Sequence, residues 1–164
     1  LHLLFLSFFF NYFFLLYIHF YRFLNPFFIL EHQDFSLQVR SDDGSLPLDS
    51  MWSQWAEVFG EVGEKLGQTF EVVDGEKQEE WMTAAGFGDV RTRNVKTAVG
   101  GWPKDERQKE IGYFNRLSLE TGLEGFALYA LTTVLGWEYA AVQVFLAGMR
   151  QAIQSKRYHA YSTW

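Results

Sequence analysis

The fold of this chain is decided by residues 81–114, which read WMTAAGFGDVRTRNVKTAVGGWPKDERQKEIGYF. Trp81 and Ala85 share one helical face, and Gly86 stands where a helix commonly ends in a left-handed residue. The β-branched side chains of residues 89–95 then predict a strand. This part of the stretch therefore reads as the end of a helix followed by an extended segment.

A second helix is predicted further along the same stretch. Two adjacent glycines interrupt the strand, and Pro103 has the position that proline prefers at a helix start. Ile111 and Phe114 then recur at helical spacing, which predicts a helix over residues 104–120. Helix, strand, loop and helix in this order indicate an α/β fold.

The same residues carry a resemblance to a known family. The run AGFGDV at 85–90, the loop WPKD at 102–105 and the run KEIG at 109–112 are similar to the C-terminal half of a fungal class I S-adenosylmethionine-dependent methyltransferase. Within that superfamily the match is to the group that includes the velvet-complex methyltransferase, a regulator of secondary metabolism. It extends from about residue 31 to residue 161.

That resemblance implies a fold and a cofactor. The fold would be α/β, with the C-terminal half of a Rossmann-like methyltransferase sheet under a helical cover. The cofactor of the intact family would be S-adenosylmethionine, and the location would be the cytoplasm or the nucleus. A class I methyltransferase holds its cofactor on a Gly-rich loop, whose small residues let the backbone approach the ligand closely. No such loop precedes Glu31, so we expect no cofactor-binding residues here, and we expect this chain alone to be inactive.

Charge and cysteine content exclude several kinds of partner. Residues 31–89 hold 14 acids and 3 bases, a net charge of −11, whereas residues 90–164 hold 6 acids and 10 bases, a net charge of +4. A nucleic-acid-binding protein would show a basic face, so we expect no nucleic-acid partner. The chain has no cysteine and four scattered histidines, so we expect no disulfide and no metal site.

Residues 1–30, LHLLFLSFFFNYFFLLYIHFYRFLNPFFIL, form an apolar segment with the single charged residue Arg22. About 20 apolar residues suffice to span a bilayer, so one interpretation is a transmembrane helix. Another is a mis-translated intron, because ten of the thirty residues are Phe, whose codons are rich in pyrimidines, and the chain begins with Leu1. A buried core helix is the third. We predict a boundary after residue 30, with residues 31–164 forming the methyltransferase part.

Further elements follow from local patterns. Phe35, Leu37 and Val39 alternate with polar residues, which predicts a half-buried strand, and the family resemblance places its fifth sheet strand at residues 31–35. A helix is predicted from residue 49 or 50 to about residue 65, with two tryptophans buried against the sheet. A short helix follows over residues 76–85.

The C-terminal third is predicted to be helical. We expect Gly122 to separate the helix at 104–120 from one at 123–135, and we expect Gly136 to end the latter. A further helix, starting at Trp137, carries a long apolar stripe, and a short final strand begins near Tyr158.

The chemistry-bearing residues are few. If this chain keeps the substrate side of a methyltransferase, the residues that would contact substrate are Glu31, His32 and Trp102. His32 stands beside carboxylates and could serve as a general base, although a lone strand histidine is more often structural.

Three functional hypotheses remain open at this point. The first is a fragment of an S-adenosylmethionine-dependent methyltransferase, acting on a small-molecule or protein acceptor that the sequence does not identify. The second is a non-enzymatic interaction module, and the third is a membrane-anchored remnant of the same fold.

Overall fold

A computed structural model of the chain describes residues 2–6, 13–23 and 29–164. The described residues form a mixed α/β structure with five α-helices and two small sheets. This confirms the expected fold class at the level of mixed helix and strand. The two sheets lie in different parts of the chain, so each is described with the helices that follow it.

The first sheet pairs β1, His2–Leu6, with β2, Ile29–Gln33. The strands are parallel, with His2 opposite Ile29 and Leu6 opposite Gln33. Parallel neighbours need a crossover connection, and the chain between them contains the helix α1, Phe13–Phe23. The N-terminal part of the chain thus follows the order strand, helix, strand.

None of the helices in the described ranges has both the length and the apolarity needed to cross a membrane. α1 has 11 residues, so it is about 16 Å long, whereas a bilayer core is about 30 Å thick. The described part of residues 1–30 therefore contains no helix that could span a membrane. Tyr17 of α1 is fully buried, as a core helix requires. Residues 1, 7–12 and 24–28 of this segment lie outside the described residues.

The helix predicted after residue 50 is confirmed as α2, Met51–Leu66. Ser50 begins it, with its hydroxyl oxygen accepting a hydrogen bond from the N–H of Ser53 at 3.4 Å. Gly67 ends it in a left-handed conformation. Both ends therefore come from local capping signals that the sequence displays.

The short helix α3, Lys77–Ala85, is confirmed as well. Gly86 ends it with a φ of 104°, a backbone conformation that side chains other than glycine's rarely adopt. The N–H of Gly86 donates to the carbonyl of Thr83, and the N–H of Phe87 donates to that of Met82. This pair of bonds satisfies carbonyls that the helix end would otherwise leave unpaired.

The helix α4, Glu106–Tyr129, does not break at Gly122, so the predicted division there is wrong. A side chain at Gly122 would point into open space. The next turns are held by the buried residues Leu123 and Ala127, and this packing offsets the roughly 1 kcal/mol that an internal glycine costs a helix. Tertiary contacts therefore override the local signal.

The chain then continues through one π-helical turn, Ala130–Val134, to Gly136, which ends the helical run as predicted. The last helix, α5, is Tyr139–Gln154. Its apolar stripe is buried along most of its length at Val142, Leu146, Met149 and Ile153. Tyr139, at the start of the predicted stripe, is exposed instead.

The second sheet pairs β3, Lys96–Ala98, antiparallel with β4, Tyr161–Thr163. The main chains of Val95 and Trp164 exchange hydrogen bonds of 2.7 and 2.9 Å at one end of this pairing. The strand predicted at residues 89–95 is therefore displaced towards the C-terminus. Its position is set by the distant partner strand, which the local sequence does not reveal.

The strand predicted from Phe35, Leu37 and Val39 is wrong. This segment is irregular apart from one bridge between Arg40 and Tyr161. Ser36, which the alternation would place outside, is 1% exposed. Its N–H donates to the carbonyl of Thr163 at 2.8 Å and its hydroxyl to Asp74 at 2.6 Å, so hydrogen bonding rather than apolar alternation sets the backbone.

The principal core is helical. Trp55 of α2 lies against Phe126 and Phe145, with ring centroids 5.8 and 6.1 Å away. The burial of both α2 tryptophans is confirmed, but their partners are helices rather than the sheet. The buried residues at the centre of this helical core are Trp52, Trp55, Phe59, Val62, Leu123, Ala127, Leu131, Val142, Leu146, Met149 and Ile153.

A smaller apolar cluster joins the N-terminal part to α3. Its buried members are Tyr17, Val72 and Ala85, and Trp81 and Phe87 pack around them. The helical face that the sequence assigned to α3 is therefore confirmed as a packing face. In α4, by contrast, the predicted apolar positions Ile111 and Phe114 are exposed by 38% and 64%.

Candidate functional site

The first candidate group of polar side chains lies at the carboxyl end of β2 and surrounds His32. The hydroxyl of Tyr17 contacts Nδ1 of His32, and the side-chain amide of Gln78 lies 3.3 Å from the same nitrogen. On the other side of the ring, Oδ2 of Asp34 is 3.9 Å from Nε2. The His32 side chain is 1% exposed. The imidazole is thus held between α1, α3 and the residue that follows β2.

Burial sets the protonation states in this group. It lowers the pKa of His32 to about 4 and raises the pKa of Asp34 to about 6, a rise that the hydrogen bond from the Phe35 N–H opposes. Burial and the Asp34 charge also raise the pKa of Tyr17. At neutral pH the imidazole is therefore uncharged and the carboxylate ionised. Asp34 is then the better-matched proton acceptor of the two, because its pKa lies nearer to neutrality.

Glu31 and Trp102, the other two predicted site residues, lie in different settings. Glu31 alternates with His32 along β2, and its Oε1 accepts a hydrogen bond of 2.9 Å from Gln33 in an exposed pair. Trp102 follows β3, and its indole N–H donates to the carbonyl of Ala160 at 2.9 Å. A substrate-side role for these three residues stays a prediction.

Trp102 instead belongs to a second polar group. Its ring stacks on the imidazole of His159, with centroids 5.2 Å apart and planes 31° apart. Nδ1 of that imidazole lies 2.5 Å from Oδ2 of Asp43. The side chains of both partners are about half exposed. This histidine, unlike His32, is therefore accessible from outside the fold.

The turn at residues 41–45 holds the carboxylate of this pair. Oδ1 of Asp43 accepts hydrogen bonds from the Ser41 hydroxyl at 2.6 Å and from the Ser45 N–H at 3.0 Å. The Ser45 hydroxyl oxygen in turn accepts the N–H of His159 at 2.8 Å. Hydrogen bonds from Ser41, Ser45 and His159 hold the pKa of Asp43 far below its usual value. The carboxylate is therefore ionised at neutral pH.

A neighbouring ion pair extends this second group onto the sheet. Asp42 accepts hydrogen bonds from Lys96 at 2.6 Å and from the Tyr161 hydroxyl at 2.8 Å, and these lower its pKa. The Lys96 ammonium also lies 4.6 Å from the centre of the Tyr161 ring. The 41–45 turn is thus tied to both β3 and β4.

Sequence reasoning did not pair Asp43 with His159. The two residues are 116 positions apart, and the sequence shows Asp43 only as part of a turn. The turn pattern itself, with serines on both sides of the aspartates, was the available signal. In the part of the chain that the structure describes, no group of three or more His, Asp or Glu side chains is arranged to hold a metal ion.

Comparisons with known proteins relate the sequence of this chain to fungal methyltransferases and secondary metabolism regulators. The chain is 33% identical over 132 residues to the probable methyltransferase tdiE of Emericella nidulans, covering 80% of this chain and 41% of that protein. It is 34% identical over 140 residues to the methyltransferase pytC of Aspergillus terreus, covering 85% and 43%. The resemblance to fungal methyltransferases is confirmed. The secondary metabolism regulator LAE1 of Cochliobolus heterostrophus is 31% identical over 135 residues, covering 81% and 43%.

This methyltransferase-like chain spans about two fifths of the length of the curated relatives it matches. No protein-family model matches it, and no solved structure gives a significant match. The resemblance to fungal methyltransferases therefore rests on these relatives alone.

The residues present do not fit the methyl donor that the group implies. In a strand–helix–strand unit a nucleotide-like cofactor needs small residues where the first strand passes into the helix. Here β1 ends at Leu6, α1 begins at Phe13, and residues 7–12 between them read SFFFNY, without a glycine. We therefore derive no catalytic step through the donor from this chain.

Proposed function

We propose that this chain forms the acceptor-side part of an S-adenosylmethionine-dependent methyltransferase involved in fungal secondary metabolism. One observation carries the proposal: about four fifths of the chain is similar to fungal methyltransferases that are more than twice its length. Those longer proteins have room for a cofactor-binding part that residues 1–164 do not supply. The cytoplasm or the nucleus is the location that we propose on the same basis.

The fold supports this assignment in one respect. Parallel strands joined by a helix are the repeating unit of Rossmann-like sheets, and ligands bind outside the carboxyl ends of such strands. β2 is such a strand, and its carboxyl end carries His32 and Asp34. We therefore propose that β1 and β2 belong to a partial Rossmann-like sheet.

The contribution of this part to catalysis would be positioning. Holding an acceptor in a fixed orientation removes much of the entropic cost of a reaction between two molecules. The helical core of α2, α4 and α5 also contains Val99 and Ala160, and these residues give the group around Trp102 a fixed frame. The methyl acceptor, whether a small molecule or a protein segment, is not defined by these contacts.

Binding of S-adenosylhomocysteine tests the proposal. Calorimetric titration would compare residues 1–164 with the longer protein translated from the mature transcript, whose sequence upstream of Glu31 also tests the intron hypothesis. We expect no binding by residues 1–164 and micromolar binding by the longer protein. Micromolar affinity of residues 1–164 would overturn the assignment to the acceptor side alone. A non-enzymatic interaction module would bind in neither form.

A further inference from the structure

We propose that His159 and Asp43 form a proton-accepting dyad for the methyl acceptor, with His159 as the base and Asp43 as its positioning residue. This inference rests on the proposed function and names the chemistry of its acceptor. It joins residues that neither the sequence motifs nor the comparisons single out.

The geometry of the pair supports this role. The carboxylate lies on the Nδ1 side of the imidazole at 2.5 Å, so the neutral ring carries its proton on Nδ1 and presents the Nε2 lone pair on the opposite side. Trp102 stacks on one face of the ring, and the hydrogen bond from Trp102 to Ala160 fixes that indole in turn. The ring is therefore oriented by two independent contacts while about half of its side chain stays accessible.

Asp43 is itself fixed, as a positioning residue must be. Three donors, from Ser41, Ser45 and His159, converge on its two oxygens. The charge of the carboxylate stabilises the imidazolium that forms when Nε2 takes a proton. The other ionisable side chains beside this turn are Asp42, Lys96 and Tyr161, which are bonded to one another.

His32 is less suited to the same role. Its side chain is 1% exposed and enclosed by Tyr17, Gln78 and Asp34. A methyl acceptor would have to displace one of these side chains to reach the His32 ring. The accessible histidine is the better candidate on geometry alone.

The dyad implies an acceptor that has a proton to lose. The step that we assign breaks the O–H or N–H bond of a hydroxyl or amine, places the proton on Nε2 and leaves the bonding pair on the acceptor atom. A thioether sulfur carries no proton and would need no base. The acceptor class that fits this site is therefore a hydroxyl or amine.

The activity test uses the longer protein translated from the mature transcript. We expect His159→Gln to lower kcat by roughly 100-fold or more with little change in KM, since general-base catalysis typically contributes that factor. Asp43→Asn should lower kcat with little change in KM, and Asp43→Glu should restore part of the rate. Asp89→Asn, in an exposed pair with Arg91, is the matched control and should leave kcat unchanged.

A second readout on residues 1–164 keeps the dyad testable if the longer protein proves not to be an enzyme. Nitrogen-15 NMR should show neutral His159 protonated on Nδ1, and Asp43→Ala should shift the neutral ring towards the Nε2-protonated tautomer. An Nε2-protonated ring in the unaltered chain, or an unchanged tautomer in Asp43→Ala, would overturn the dyad. Full activity of His159→Gln at every pH would do the same. Absence of S-adenosylhomocysteine binding by the unaltered longer protein would overturn the proposed function instead.

Discussion

The indole N–H of Trp102 donates to the carbonyl of Ala160 at 2.9 Å, and the same carbonyl accepts the main-chain N–H of Val99 at 2.8 Å. One oxygen thus joins the loop after β3 to the residue before β4. Trp102→Phe keeps an aromatic ring beside His159 but removes the indole donor together with part of the ring system. Because Ala160 retains its bond to Val99, we expect the free energy of unfolding to fall by about 1 kcal/mol.

Urea unfolding followed by circular dichroism would measure this change. Phe114→Leu, at a position 64% exposed on α4, is a control of comparable size and should have little effect. An equal loss in both variants would show that the hydrogen bond is not the cause.

Two glycines of α4 are predicted to respond oppositely to the same substitution. The main-chain oxygen of Gly100 occupies the space that a Cβ on Gly112 would take, and the Gly100 N–H donates to the Gly112 carbonyl at 2.9 Å. Gly112→Ala should therefore destabilise the fold by about 2 kcal/mol or more through overpacking. Gly122→Ala, facing open space, should stabilise it by about 0.5–1 kcal/mol. Thermal unfolding of the two variants would show opposite shifts, and a shared sign would contradict the described packing.

Opposing pH dependences are predicted at the end of β2. The pKa of His32 in the fold, about 4, lies below its ordinary 6.5, so the unfolded chain binds this proton first and stability falls as the pH drops from 6.5 towards 4. The pKa of Asp34 in the fold, about 6, lies above its ordinary 3.8. The folded chain binds that proton first, so this contribution to stability grows as the pH drops from 6 towards 4.

Single substitutions should separate the two contributions. In Asp34→Asn only the histidine contribution remains, so stability should fall on acidification from pH 6.5 to 4, by on the order of 2 kcal/mol. In His32→Gln the trend from this site should reverse. Urea unfolding at pH 7, 5.5 and 4.5 would compare the slopes of the two variants, since all other carboxylates are common to both. Parallel slopes would contradict the described burial.

Asp74 links two segments that the sequence shows as separate. Its carboxylate accepts the hydroxyl of Ser36 at 2.6 Å and the guanidinium of Arg40 at 2.7 Å. Ser36 is 1% exposed, so Asp74→Ala removes a partner from a buried hydroxyl and should cost about 1–3 kcal/mol. Arg91→Ala breaks an ion pair of similar length in which both side chains are mostly exposed, and it should cost less than about 0.5 kcal/mol. Equal decreases in the free energy of unfolding of the two variants, measured by urea unfolding, would show that burial does not determine how much each contact stabilises the fold.

Local signals predicted the helix ends, because a cap acts within a few residues. Ser50, Gly86 and Gly136 are found where the sequence places a helix start or stop, whereas the stop predicted at Gly122 is wrong. The strands were displaced because their positions depend on a partner elsewhere. Val95 pairs with Trp164, and no pattern near residue 95 contains that information.

The residues of the candidate site also divide into those indicated by local sequence and those brought together only by tertiary structure. The sequence singled out His32 from its neighbouring carboxylates and Trp102 from the family resemblance. Both have polar contacts in the fold, and their substrate-side role stays a prediction. Asp43 contacts His159 only in the folded chain, because the segment after α5 returns to the 41–45 turn. A residue's partner across such a distance cannot be read from spacing alone.

The helical core has a consequence for how the chain is made. Trp52, Trp55 and Phe59 leave the ribosome before their partners Leu146, Met149 and Ile153, which are translated about ninety residues later. Until then the apolar face of α2 has no stable cover, and such exposed surface promotes aggregation and chaperone binding. The nascent chain is thus most vulnerable while α4 is being synthesised, and translation speed over residues 106–154 should influence the yield of folded protein.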